Sequence, residues 1–465
     1  MKRLLLLAAA LLLAAGCSPD DIAGTWQGML DAGPVRARVV FNITRENGKL
    51  TATLDSPDQG ATGIPVTETE FTGGRLRLEL KAIAASFEGR LEGDRLTGEW
   101  RQAGRSFPLE LVRGADAAAA RRPQDPVPPF PYRSEDVTFA GPAGTIAGTL
   151  TLPEGDGPFP AALLISGSGQ QNRDEEIFGH RPFLVLADYL TRRGFAVLRY
   201  DDRGVGGSTG DPALATSEDF AQDARAGLAW LRDRPETDPD RTGVIGHSEG
   251  ALIGGMLGAR DDGPSFIVLL AGSGITGGEL LPLQGELVMR AGGASEAAIA
   301  ANLRLQERLF RTARRAVEPD ALSVELRAVF EAELAAMEPA VRAELTSELS
   351  EEAIGAQVRA LASPWFRFFL DYDPAADLRR AKVPVLALCG EKDLQVPPGR
   401  NLPAIQAALE ADANPDCLVL ELPGLNHLFQ TAETGSVLEY GQIEETFAPV
   451  ALDAIGDWLM ERFAR

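Results

Sequence analysis

Histidine and cysteine are scarce, with three of each in 465 residues. So few ligands nearly exclude Cys/His structural zinc sites, and no metal is expected. Positive charge is also short: 45 Lys and Arg stand against 67 Asp and Glu, a formal net charge of −22. A chain this acidic lacks the electrostatic footprint for phosphate backbones, so nucleic acid is not an expected partner. The apolar stretch Leu4 to Ala15 is too short to span a bilayer as a helix. What remains is ordinary globular composition, 45% hydrophobic and 24% charged, in a length that suits about three domains or fewer.

The N-terminus has its own pattern. Lys2 and Arg3 precede the apolar stretch, and small residues Ala15 and Gly16 follow it. This is secretory signal architecture. Cys17 directly after Leu13-Ala14-Ala15-Gly16 resembles a bacterial lipobox. The resemblance implies a signal peptide over 1–16, lipidation of the Cys17 thiol, and a short tether over 17–24. It places the protein in the cell envelope of a bacterium, facing the periplasm or exterior, with membrane contact through the lipid anchor alone.

Residues 25–113 carry a period of two, clearest in Arg75-Leu76-Arg77-Leu78-Glu79-Leu80. Turn signals at Asn47-Gly48, Gly73-Gly74, Gly93-Asp94 and Ala103-Gly104 punctuate it. Short alternating strands with frequent turns predict a small antiparallel all-β domain, a sandwich or small barrel. Trp26 and Trp100, placed near strand starts, are expected in its core, with a ligand cup as the alternative. Residues 114–132 hold five prolines and an alanine run, which predicts a semi-rigid linker.

From 133 to 465 the rhythm becomes that of a parallel sheet flanked by helices. Strands are expected at 145–152, 161–165, 195–200, 242–245, 266–270, 383–388 and 417–422. Helices are expected at 182–193, 218–232 and 249–257, from about 401, and at the end of the chain. The alternation pauses over 275–375, where Leu322, Leu326, Val329 and Phe330 share one helical face. That stretch is read as a helical cap inserted into the sheet domain. Cys389 and Cys417 fall at opposite ends of neighbouring strands, about 20 Å apart, which forbids a disulfide.

Gly246-His247-Ser248-Glu249-Gly250 follows an apolar strand and opens a helix, the context of a nucleophile elbow. Ser248 needs a base. Among the histidines, His247 is read as structural and His180 as structural or pocket-lining. His427, in the loop after the last strand, is positioned to serve. Asp393 is its expected orienting carboxylate, with Glu391 as runner-up. The order Ser248, Asp393, His427 is that of α/β-hydrolases. Backbone N–H groups of Glu249 and of Ser168 or Gly169 are the candidate oxyanion donors. Trp365, Phe366 and Phe369, the most aromatic stretch of the cap, are assigned to the substrate pocket.

Together with Asp201-Asp202-Arg203-Gly204-Val205-Gly206-Gly207-Ser208, Gly167 to Glu175, and Asn426 to Gln430, these motifs resemble the α/β-hydrolase superfamily. The likeness is to bacterial esterases of the dienelactone-hydrolase and prolyl-oligopeptidase-like branch, some with a similar β-rich N-terminal domain. It implies cleavage of small-molecule carboxylic esters through an acyl-serine, with no cofactor and no obligate protein partner. An acyl-thioesterase, a peptidase, or a ligand- or partner-binding lipoprotein with an inert hydrolase domain are the alternatives. An intact triad counts against the last. The absence of propeller repeats in 20–132 disfavours a true prolyl oligopeptidase.

Overall fold

A computed structural model describes residues 22–31, 36–46, 48–57, 61–102, 105–114, 122–315, 318–346 and 351–464. Cys17, the signal segment and the Ala-rich start of the linker lie outside the described residues, as do Asn47 and Ala103-Gly104.

The alternating segment forms nine strands: β1 (Gly24–Asp31), β2 (Arg36–Glu46), β3 (Lys49–Ser56), β4 (Ala61–Pro65), β5 (Glu68–Thr72), β6 (Arg75–Leu80), β7 (Ala85–Glu92), β8 (Arg95–Gln102) and β9 (Arg105–Arg113). They make one antiparallel sheet in the order β4-β3-β2-β1-β9-β8-β7-β6-β5. This is neither a sandwich of two sheets nor a closed barrel. The sheet curls so that its apolar face packs on itself. The chain between the two edge strands bridges the gap with bonds from Val66 N–H to Ala52 O (3.1 Å) and Thr67 N–H to Glu79 O (2.6 Å). The result is a half-barrel. Trp26 and Trp100 are buried in its core with Phe41 and Phe87, although Trp100 sits late in β8 rather than near its start.

The proline-rich stretch is fastened down from Arg122 onward. The Arg122 guanidinium donates to the carbonyls of Phe178 (2.9 Å) and Ile443 (3.0 Å). Gln124 bonds the backbone of Thr446 and Phe447. Tyr132 donates to Asp188 (2.8 Å).

The second sheet has eight strands: β10 (Arg133–Gly141), β11 (Gly144–Leu152), β12 (Phe159–Ile165), β13 (Ala196–Tyr200), β14 (Thr237–His247), β15 (Ile267–Leu270), β16 (Val385–Gly390) and β17 (Cys417–Leu422). Their order is β10-β11-β13-β12-β14-β15-β16-β17. The first two junctions are antiparallel and the rest parallel. Helices cover both faces, which is why the central strands read as unbroken apolar runs. α1 (Pro182–Arg192) lies on one face, and α2 (Ser217–Arg232) and α3 (Glu249–Gly258) on the other.

Between β15 and β16 the chain builds the cap from α4 (Gly277–Ala291), α5 (Glu296–Ala313), α6 (Pro319–Ala336), α7 (Pro339–Thr346), α8 (Glu351–Ala362) and α9 (Pro364–Asp371). Leu322, Leu326 and Phe330 of α6 are buried in the cap's own core, and Val329 is only half-buried. α10 (Pro374–Arg380) returns to the sheet, where Leu378 joins the core under α3. α11 (Pro398–Ala411) starts three residues before the expected Asn401, because Pro398 sits at its first turn, where the missing N–H costs nothing. α12 (Pro449–Phe463) closes the face shared with α1. Among the described residues no helix is long and apolar enough to cross a membrane.

Parallel pairing of β16 with β17 sets Cys417 opposite Val385, and Cys389 opposite Glu421. Four residues of offset give about 13 Å at ~3.3 Å per residue. That is shorter than the expected 20 Å and still beyond disulfide reach. Both thiols are free, and Cys389 is buried.

Candidate active site

β14 ends at His247 and α3 begins at Glu249, so one residue must turn the chain. That residue is Ser248, held at φ 54° and ψ −115°, a region costly to any side-chain-bearing residue. The glycines on either side make it attainable. A Cβ on Gly246 would lie 2.0 Å from Gly250 O, and one on Gly250 would lie 2.0 Å from Ile165 O. The Ser248 N–H is anchored to Leu270 O (2.8 Å).

His427 and Asp393 come together from the loops after β17 and β16. His427 Nδ1 lies 2.8 Å from Asp393 Oδ2. The other oxygen of Asp393 accepts the N–H groups of Gln395 and Val396, each at 2.8 Å. The carboxylate is buried and filled by these partners. Glu391 is exposed, and its carboxylate accepts from Gly424 N–H (2.8 Å). Asn426 shapes the histidine loop by accepting the N–H groups of Leu428 and Gln430, each at 3.0 Å.

The other two histidines separate clearly. His180 is fully buried beside Thr446 and Tyr440 O, outside the cleft, and burial lowers its pKa to about 4. His247 lines the cleft, its ring 4.8 Å from that of His427. Its Nε2 faces His427 O (3.0 Å) and its Nδ1 faces Glu175 Oε1 (2.9 Å).

The loop after β12 is tied by carboxylates that the sequence reading did not single out. Asp202 accepts from Ser166 Oγ and from Gln171 N–H, each at 2.9 Å. Glu175 accepts the N–H of Gly167 (2.7 Å). Asp201, from the same turn as Asp202, pairs with Arg173 (2.8 Å). The only signals for these roles were the two motifs themselves, which name the residues without showing that they meet. Ser168 lines the cleft with Ser248 and His427, whereas Gly169 does not.

The cleft has a volume of about 290 Å³ and is roofed by α4 and α9. Trp365 and Phe369 line it, stacked with ring centroids 5.3 Å apart. Phe366 does not. It is buried in the cap core against Phe310, at 5.5 Å. Residues four apart share a helical face and adjacent residues do not, so only one face of α9 reaches the cleft. The side chain of Glu249 is buried and runs toward the cap and the loop after β12. Its Oε1 accepts Trp365 Nε1 (2.7 Å) and Ser217 Oγ (2.6 Å), linking the cap to α3.

Asp202 also has a titration consequence. Burial pushes its carboxyl up to about 7, against the bonds from Gln171 and Ser166 and with the nearby Glu175 and Glu249 carboxylates adding to the rise. In an unfolded chain the same group titrates near ~3.9. Between those values the fold holds a proton that the unfolded chain has lost. Stability present below about pH 4 is therefore lost as pH rises to about 7. Replacing Asp202 by Asn should remove that slope, so the variant gains on wild type between about pH 4 and 7 in urea melts. A constant difference across that range would mean that Asp202 is ionised throughout.

Comparison with known proteins agrees with this architecture. Residues 144–419 match the X-Pro dipeptidyl-peptidase (S15) family. Esterase EstD of Thermotoga maritima is 25% identical over 341 residues, 72% of this chain and 70% of EstD. Esterase FrsA of Klebsiella pneumoniae is 28% identical over 150 residues, 32% of this chain and 34% of FrsA. Among solved structures, Pyrococcus furiosus esterase Pf2001 covers 71% of this chain and 93% of its own, at 16% identity and a TM-score of 0.41. With the family match spanning more than half its length, this chain belongs to the X-Pro dipeptidyl-peptidase (S15) family of α/β-hydrolases.

Proposed function

We propose that the protein hydrolyses small carboxylic esters through an acyl-Ser248 intermediate. One observation carries this reading: a filled, buried Asp393 carboxylate orients His427 at the cleft that Ser248 lines from its strained turn. Ser248 Oγ attacks the acyl carbon while His427 Nε2 takes its proton. Asp393 holds the Nδ1–H and stabilises the imidazolium. His427 then returns the proton to the leaving alcohol, and water repeats the sequence to free the acid. The oxyanion is received by the N–H of Glu249, at the start of α3, and the N–H of Ser168. Ser168 is favoured over Gly169 because it lines the cleft, and the preceding Gly167 N–H is spent on Glu175.

The family match favours a second reading, release of dipeptides. A free peptide N-terminus asks for an uncommitted carboxylate. Among the described residues, the carboxylates of Glu175, Asp202 and Glu249 beside the cleft are each already hydrogen-bonded within the protein. EstD being an esterase points the same way. An acyl thioester would use the same machinery. p-Nitrophenyl esters, a thioester and an Xaa-Pro p-nitroanilide, assayed side by side, should rank with the oxygen ester first. A higher kcat/KM on the anilide would establish the peptidase.

We further infer that Cys17 carries a lipid that tethers the enzyme to the cell envelope, on the strength of the leader pattern ending in Leu-Ala-Ala-Gly-Cys. Cys17→Ala should abolish incorporation of labelled palmitate and move the protein out of the membrane fraction. Labelling that persists would remove the anchor.

Ser248→Ala should abolish hydrolysis and labelling by a fluorophosphonate while leaving the circular dichroism unchanged. Asp393→Asn should lower kcat by on the order of 10⁴, as the wrong imidazole tautomer does. Strong loss in Glu391→Gln with a mild Asp393→Asn would reassign the acid.

The pocket wall separates Phe369 from Phe366. Phe369→Ala should shift preference toward longer acyl chains, by roughly 1–3 kcal/mol per methylene. Phe366→Ala should cost about 3–5 kcal/mol of stability through a cavity in the cap and leave the ranking of esters as it was. A chain-length series on both variants checks this, and equal ranking in both would move the acyl site elsewhere.

A further inference from the structure

One buried carboxylate touches several parts of the site that the mechanism treats separately. Glu175 Oε1 accepts the N–H of Gly167, in the loop that carries Ser168, and faces Nδ1 of His247, the residue just before Ser248. His247 in turn reaches the main-chain carbonyl of His427. Three chain segments, after β12, at the end of β14 and after β17, thus meet through two side chains.

We propose that Glu175 and His247 form a buried carboxylate–imidazolium pair that holds the oxyanion loop in register with the His427 loop, with Glu175 as the positioning residue. The inference rests on the serine-hydrolase reading above.

The protonation state follows from what the two ring nitrogens face. His427 O can only accept, so Nε2 of His247 carries a hydrogen. Glu175 Oε1 already accepts Gly167 N–H at 2.7 Å, so that oxygen presents itself as an acceptor. A neutral His247 with its hydrogen on Nε2 would aim the bare Nδ1 lone pair at that oxygen, 2.9 Å away in a buried site. Two facing acceptors shielded from water are costly. A second ring proton turns the clash into an ion-paired hydrogen bond, and the pair is neutral as a whole.

The titratable groups around the pair are mostly carboxyls. His427 lies 4.8 Å away ring to ring, with Asp393 behind it, and Asp202 and Glu249 lie toward the oxyanion loop. Burial by itself would strip the proton from His247. The charge and hydrogen bond of Glu175, the His427 carbonyl and Asp393 outweigh it and hold the pKa above the ordinary histidine value. While Nε2–H is held, the His427 carbonyl has a fixed donor. While Gly167 N–H points at Glu175, Ser168 is the next N–H in the loop able to face Ser248.

The test has two independent readouts. The full-length protein, labelled with ¹⁵N only at its three histidines, reports imidazole protonation by NMR. In a pH titration the His247 imidazolium, protonated on both nitrogens, should persist in wild type above the ordinary histidine range and titrate lower in Glu175→Gln. A His247 that is not raised in wild type, or an unchanged titration in Glu175→Gln, overturns the proposal. The wild-type spectrum decides even if a variant fails to fold. In kinetics with a short p-nitrophenyl ester, Glu175→Ala should lower kcat by about 10²-fold, the usual cost of misplacing reacting groups by about an ångström, with KM little changed. Glu175→Gln can still accept from Gly167 and should fall between the two. A rise in KM with kcat intact would make Glu175 a binding wall and overturn the positioning role. If wild type neither cleaves esters nor takes a fluorophosphonate at Ser248, the hydrolase reading fails, and the spectrum still decides the pair.

Discussion

The turn between His247 and Glu249 constrains the rest of the site. A parallel strand in the middle of the sheet must reverse into a helix within one residue, and that residue carries a side chain. The cost is a left-handed φ at Ser248. It is met by the absence of side chains at Gly246 and Gly250, where backbone already occupies the Cβ positions. Because Gly250 packs on Ile165 O, the last residue of β12, the elbow also fixes where the next loop begins. That loop is the one carrying Ser166 to Gln171. The nucleophile and the candidate oxyanion donors are therefore placed by one close backbone contact.

Around that contact the protein gathers carboxyl groups, which is an unexpected choice beside a proposed oxyanion site. Each carboxylate is committed. Asp201 is paired with Arg173, Glu175 faces His247, Asp202 accepts from Ser166 and Gln171, and Glu249 accepts from Ser217 and Trp365. Their oxygens act as fixed acceptors for loop N–H and O–H groups. A flexible polar loop thereby becomes a braced one, and in an acidic chain carboxylates are the acceptors at hand.

The cap shows how helical geometry sorts residues that look equivalent. Trp365 and Phe369 are separated by four positions and face the cleft. Phe366 and Leu370, also four apart, face the cap core. The indole N–H of Trp365 then finds a buried acceptor in Glu249, so the residue after the nucleophile also positions a wall of the pocket.

Local pattern carried much of this. Alternation of apolar and polar residues identified the β segment, apolar runs the parallel sheet, and Gly-x-Ser-x-Gly at a strand-to-helix junction the elbow. With three histidines in the chain, elimination and position together pointed to His427, and the segment directly after the strand ending at Cys389 offered Asp393, with Glu391 as runner-up. These are properties of neighbours in sequence, and periodicity records them. Tertiary structure decided what depends on distant segments meeting. Alternation specifies that one face is buried but not what buries it, so a self-packed half-barrel and a sandwich read alike. The offset of Cys389 from Cys417 depends on strand register, which an apolar run leaves free. The aromatic stretch 365–369 is apolar on both faces, and only the packing of α9 between the cap core and the cleft assigns its residues. Glu175 meeting His247, 72 positions further on, leaves no periodic trace, because a buried hydrogen bond between loops constrains two positions in space and none of the residues between them.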